Sequence, residues 1–183
     1  MKVDPFLTTF LTALLILSAG TDIRYKRIPN LFTYPAMLVA LSYHFLSGGA
    51  AGLLFGASGL AVGTGLWIVP FLMGGMGAGD AKLMGAVGCI LGPKGVLAAS
   101  VLTALFGGVY AVFIILTKGR YPFIKGFVLR QCITVKTYLC TGHFAAMESA
   151  DHGELPKLRY AVAIALGTLM YVFLKFSGHR FLL

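Results

Sequence analysis

Charge is what this sequence has least of. Only 11% of its 183 residues are charged, and just six are acidic: Asp4, Asp22, Asp80, Glu148, Asp151 and Glu154. A soluble domain of this length needs far more charge to cover its surface. With 58% hydrophobic residues and a mean hydropathy of +0.87, the natural solvent for this chain is a bilayer. Cysteine is also scarce. The three residues Cys89, Cys132 and Cys140 make an odd count, which implies no disulfide framework. Cys132 and Cys140 precede His143 and His152, but the spacing matches no compact zinc knuckle, so no metal site is expected. Basic residues nowhere interleave with aromatics as a nucleic-acid surface requires. The net charge of +9 reads instead as loop charge against anionic headgroups.

What is present is a series of apolar runs. They lie at about 5–20, 31–46, 52–73, 83–91, 96–117 and 158–176, separated by glycine-rich or polar stretches. This predicts an all-α polytopic membrane protein with six transmembrane helices in a single domain, 1–183. The fourth run is short against the roughly 20 residues of a full crossing, so its helix either begins within the glycine stretch before it or crosses where the protein is thin or wet. Gly52, Gly56, Gly59 and Gly63 recur at every third or fourth position of the third run, a pattern that lets a neighbouring backbone come close. A longer polar loop covers about 118–157, and its middle, about 127–144, is amphipathic enough to lie at the membrane interface.

Orientation follows from the basic residues. If the first, third and fifth spans end in the cytoplasm, only Lys2, Lys94, Lys175 and Arg180 of the fifteen Lys and Arg lie outside, and the other eleven lie inside. The positive-inside rule selects that arrangement, with both termini outside the cytoplasm.

Of the six acidic residues, only Asp22 and Asp80 abut apolar spans. Two spans separate them, so both belong to one side of the bilayer, the cytoplasmic side by the charge count. Two carboxylates held close together cannot both ionise cheaply, and one proton is shared between them. Such a pair suits acid–base hydrolysis: the ionised member takes a proton from water while the protonated member polarises a carbonyl. Ionisable groups at a membrane span point to function by default. The bland alternatives are a salt bridge of Asp22 with Arg24, Lys26 or Arg27, and a pairing of Asp80 with Lys82 or a helix-capping role for it. Gly77 and Gly79 count against those, since close approach of backbone or substrate is of no use to a salt bridge.

The stretch Asp22-Ile23-Arg24-Tyr25-Lys26-Arg27-Ile28-Pro29-Asn30 resembles the first aspartate motif of the type IV prepilin peptidases. Gly77-Ala78-Gly79-Asp80-Ala81-Lys82 resembles their second, GxGD, motif, and Leu155-Pro156 with Ala161 to Gly167 resembles their entry into the last span. The resemblance extends over essentially the whole chain and implies a GxGD-type aspartic endopeptidase of the inner membrane. Its substrates would be pilin or pseudopilin precursors, cut at the cytoplasmic face before their hydrophobic helix. Asp22 and Asp80 map onto the catalytic pair, and Gly77, Gly79 and Lys82 onto the active-site loop, with no chemical role assigned to Lys82. No cofactor or metal is implied. The 118–157 loop is where substrate or the pilus-assembly machinery would meet the protein. Long members of the family carry paired CxxC motifs and add N-methylation; this sequence has no CxxC, so methyl transfer is expected to be absent, and the size is closer to the compact peptidases of tight-adherence (Flp-type) pili. The competing class is a small transporter or ion-conducting subunit using Asp22 and Asp80 as ion sites. A third is a structural subunit of a pilus or secretion apparatus.

Overall fold

The structure, a computed structural model, describes residues 4–25, 27–72, 76–118 and 160–177. Every regular element among them is an α-helix: α1 (Pro5–Tyr25), α2 (Asn30–Leu72), α3 (Ala78–Lys118) and α4 (Tyr160–Phe176). The expected interfacial segment at 127–144 lies outside the described residues. α1, α2 and the Ala78–Phe113 part of α3 are long and apolar enough to cross a membrane.

α2 and α3 are not straight. In a continuous helix, residues eight apart are separated by about 12 Å of rise. Yet a side chain added at Gly52 would strike the carbonyl of His44, and one at Gly56 would lie 3.2 Å from Leu41 Cδ2. The chain therefore doubles back between them. The reversal is at Gly49, whose φ of 58° and ψ of −143° suit glycine alone. α3 reverses in the same way at Gly92, with φ 75° and ψ 177°. Pro93 follows, which disfavours helical dihedrals at Gly92 and is itself tolerated in the first turn of the next limb. Both breaks fall inside the glycine-rich turns expected from the sequence.

The limbs pack around one rod. Between 83 and 91, Leu83, Met84, Ala86, Val87, Cys89, Ile90 and Leu91 are all buried. A helix apolar and buried all round belongs at the centre of a bundle. The second limb of α2 runs antiparallel to it: Gly63 faces Met84, Gly59 faces Gly88, and Gly56 faces Cys89. The second limb of α3 meets the same α2 limb in parallel, through Gly63 against Val96 and the Trp67–Ser100 hydrogen bond of 3.0 Å. α4 lies antiparallel to that limb, with Gly167 against Thr103 and Ala163 near Gly107. α1 contributes the stripe Leu7, Leu11, Leu14 and Leu15. Its N-terminal end reaches the first limb of α2, where the Phe6 and Tyr43 rings stack at 5.6 Å. Large apolar side chains such as Leu38, Leu54, Val109 and Phe173 face outward. Water would make that surface a liability, and lipid makes it a solvated face.

Candidate active site

The fold brings one end of every helix together. α1 ends there, α2 and α3 begin there, and α4 starts there. The first helix continues past the apolar run to Tyr25, so Asp22 sits in its last turn rather than in a loop, and its side chain is buried. Asp80 lies in the first turn of α3 and is buried as well. The two carboxyl groups are within each other's electrostatic reach, although 58 positions apart in sequence.

The local geometry of Asp80 is specific. Its own N–H donates to the carbonyl of Gly77 at 3.1 Å, and the Gly77 N–H donates back to Asp80 Oδ2 at 3.0 Å. The aspartate thus reaches back to the residue that opens its helix, as the acidic member of a capping box does. The capping role that the glycines seemed to argue against is therefore present. It fixes one carboxylate oxygen and the orientation of the other.

The two motif glycines do different things. A Cβ on Gly77 would stand at an ordinary 3.5 Å from Asp80 Oδ2. A Cβ on Gly79 would come within 3.0 Å of Ile28 Cβ, an atom no rotamer change can move. Gly79 is what lets the start of α3 seat against the Ile28-Pro29-Asn30 segment. Gly79→Ala is expected to destabilise the protein by about 1 kcal/mol through overpacking. Gly77→Ala should stay within about 0.5 kcal/mol. Thermal unfolding of the two variants in the same detergent checks the order.

Lys82 turns away from the simple pairing with Asp80. Its Nζ donates to Asn30 Oδ1 at 3.0 Å and lies 5.2 Å from the centre of the Tyr34 ring. Two further residues at this end escaped the sequence reading. Asn30 was part of a motif but carried no visible role, because its partner is 52 positions away. Tyr160 opens α4 within the electrostatic reach of Asp80. The one signal for it was an aromatic residue at the junction of a polar stretch and an apolar run. The Tyr160 ring packs over Gly107 and forms part of the wall of a cavity of about 830 Å³, whose other apolar walls include Trp67, Met76, Ala104 and Val101. Among the described residues, no three His, Cys, Asp or Glu side chains gather as a metal site. Cys132, Cys140, His143 and His152 are outside those residues.

An all-helical apolar bundle with two buried aspartates at one end describes a membrane protein with an acidic site at its rim. Residues 9–112 match the model of the type IV leader peptidase family, and the chain belongs to that family. It is 35% identical over 123 residues to a prepilin leader peptidase/N-methyltransferase of Bacillus subtilis (strain 168), covering 64% of this chain and 48% of that protein. It is 34% identical over 116 residues to the protein of the same name from Xanthomonas campestris pv. campestris, covering 60% of this chain and 40% of that one. The chain thus spans about half the length, or less, of these curated relatives. No solved structure matches it.

Proposed function

We propose that the protein is an aspartic endopeptidase of the inner membrane that removes the leader peptide of type IV pilin or pseudopilin precursors, with Asp22 and Asp80 as its catalytic pair. The observation that carries this reading is the approach of two buried carboxyl groups, from two different helices, in a chain of the leader peptidase family. In this mechanism the carboxylate that is ionised takes a proton from water. The resulting nucleophile attacks the scissile carbonyl, which the protonated partner polarises, and the proton then passes to the leaving amine. The shared proton is what lets two acids do both tasks. Burial among apolar side chains strengthens every such charge interaction relative to water.

In the same reading the six helical limbs are six crossings in a single GxGD-type domain. The aspartates face the cytoplasm and both termini face the other side. The eleven Lys and Arg residues on the aspartate side, Arg24 and Lys82 among them, outnumber the four on the other, which include Lys94, and this supports the orientation under the positive-inside rule. The cavity bordered by Tyr160 is apolar, which suits the apolar segment of a precursor beside the bond to be cut. Residues 118–157, which lie almost wholly outside the described ones, are then the region that meets substrate or pilus-assembly machinery. Methyl transfer to the product is not expected, since the sequence carries no CxxC.

The test is direct. The protein, purified in detergent or reconstituted in lipid, is incubated with a type IV prepilin and the products are weighed by mass spectrometry. The expected result is a single cut that releases the leader and leaves an unmethylated mature chain. A precursor that stays intact with well-folded protein, across pilins of the Flp and longer classes, would falsify the assignment. A product heavier by one methyl group would overturn only the statement about methylation.

A further inference from the structure

We propose that Asn30 and Lys82 form a latch that sets the separation of Asp22 and Asp80, and that both are positioning residues for the catalytic pair. This rests on the reading of the two aspartates given above.

The start of α3 touches the segment after α1 at three points. Gly79 seats on Ile28, Lys82 Nζ donates to Asn30 Oδ1 at 3.0 Å, and the same ammonium lies 5.2 Å from the Tyr34 ring centre. Asn30 and Tyr34 are four apart on α2, so they share one face and present an amide oxygen and an aromatic face together. A cation bound to both is held more firmly than either contact alone would hold it. Lys82 stands two residues beyond Asp80, on the same first turns of α3. Asn30 stands eight residues beyond Asp22, across the short connection from α1 to α2. Joining these two points ties the helix end that carries one aspartate to the helix start that carries the other. The capping hydrogen bond from Gly77 then sets the direction of the Asp80 carboxyl on that fixed base. The ammonium engages the amide and the ring, which gives Lys82 a task other than balancing the charge of a carboxylate.

Two measurements test this. The first is the kinetics of prepilin cleavage by Asn30→Leu, Lys82→Met, the double variant and Lys82→Arg. Each single change is expected to lower kcat by about tenfold or more while KM moves by less than about twofold, since misplacement by an ångström is costly to catalysis. The double variant should be no worse than the weaker single, because one contact cannot be lost twice. Lys82→Arg should recover most of the rate, as a guanidinium can reach the same amide oxygen and lie on the same ring. Asn30→Leu is the sharper probe, since it leaves every charge in place. A wild-type kcat for Asn30→Leu, or singles whose losses multiply in the double, would overturn the latch.

The second measurement needs no activity. Spin labels at Arg24→Cys and Ala78→Cys, with Cys132 and Cys140 replaced by serine, report the distance between the end of α1 and the start of α3. Adding Asn30→Leu should shift or broaden that distance distribution. An unchanged distribution sinks the latch even if the enzyme cleaves normally. A changed distribution in a protein that cleaves no prepilin sinks the functional reading and leaves the latch standing.

Discussion

Asp80→Asn is expected to slow precursor cleavage by about 10²- to 10⁴-fold, the range that general acid–base groups contribute. The substitution is unusually clean at this position. Asp80 Oδ2 accepts the Gly77 N–H at 3.0 Å, and the amide oxygen left by the change can accept the same bond. The helix start survives, and what is lost is only the group that can gain and lose a proton. Asp22→Asn should have an effect of similar size, for the same reason and in an equally buried setting. The double variant should be little slower than either single, because members of one catalytic unit are strongly non-additive. The check is accumulation of unprocessed precursor in cells that express each variant, with membrane insertion confirmed from the membrane fraction. Either variant processing the precursor at the wild-type rate would remove the aspartic mechanism. An ion-flux defect with normal processing would instead favour a transporter.

Much of the architecture was readable because lipid imposes a simple code. Apolar runs and glycine-rich turns are both local in sequence. The turns at Gly49 and Gly92 fall where the glycine clusters put them. The short run at 83–91 is the instructive element. Its shortness left two readings, a helix that begins within the glycine stretch or a crossing where the protein is thin or wet. The rod follows the first of these: it begins at Ala78, inside the glycine stretch, and occupies the centre of the bundle, so its residues are apolar on every side. Periodicity cannot announce a central helix of that kind, because there is no polar face to alternate with.

The candidate site was legible in the two acids that the fold brings together and less so in what surrounds them. Asp22 and Asp80 stand out because carboxylates are rare at the edges of apolar runs. Asn30 does not stand out, since an exposed asparagine at a helix start is expected for local reasons alone. Only the fold places it against Lys82. The first helix also runs further than its apolar stretch, because Ile23, Arg24 and Tyr25 can complete a helical turn at the rim without being apolar as a group. Helix ends of this sort are set by which backbone groups find partners, and sequence composition reports that poorly.

Gly88→Val should be the most damaging change away from the site. Gly59 and Gly88 face each other where the second limb of α2 crosses the central rod, and a Cβ on either would overlap the carbonyl group of the other. The crossing can accept a side chain only by separating. The rod has no room to retreat, because Met84 and Val87 beside it have no exposed surface. Overpacking of this kind costs about 3 kcal/mol, the upper part of its usual range. For a protein of this size that is a fall in Tm of about 6–12 °C. Gly65 supplies the control on the same α2 limb, with nothing within 4 Å of an added Cβ. Gly65→Ala should be neutral or stabilise by about 0.5–1 kcal/mol, since alanine restricts the unfolded chain more than glycine does. Thermal melts of both variants in one detergent decide the matter. If Gly88→Val melts with Gly65→Ala, the two limbs do not cross at Gly59 and Gly88. Prepilin cleavage by Gly88→Val adds a second reading, because the central rod is the stem on which Asp80 is mounted. Loss of activity should track loss of fold, in contrast to Asp80→Asn, where activity goes and the melt stays.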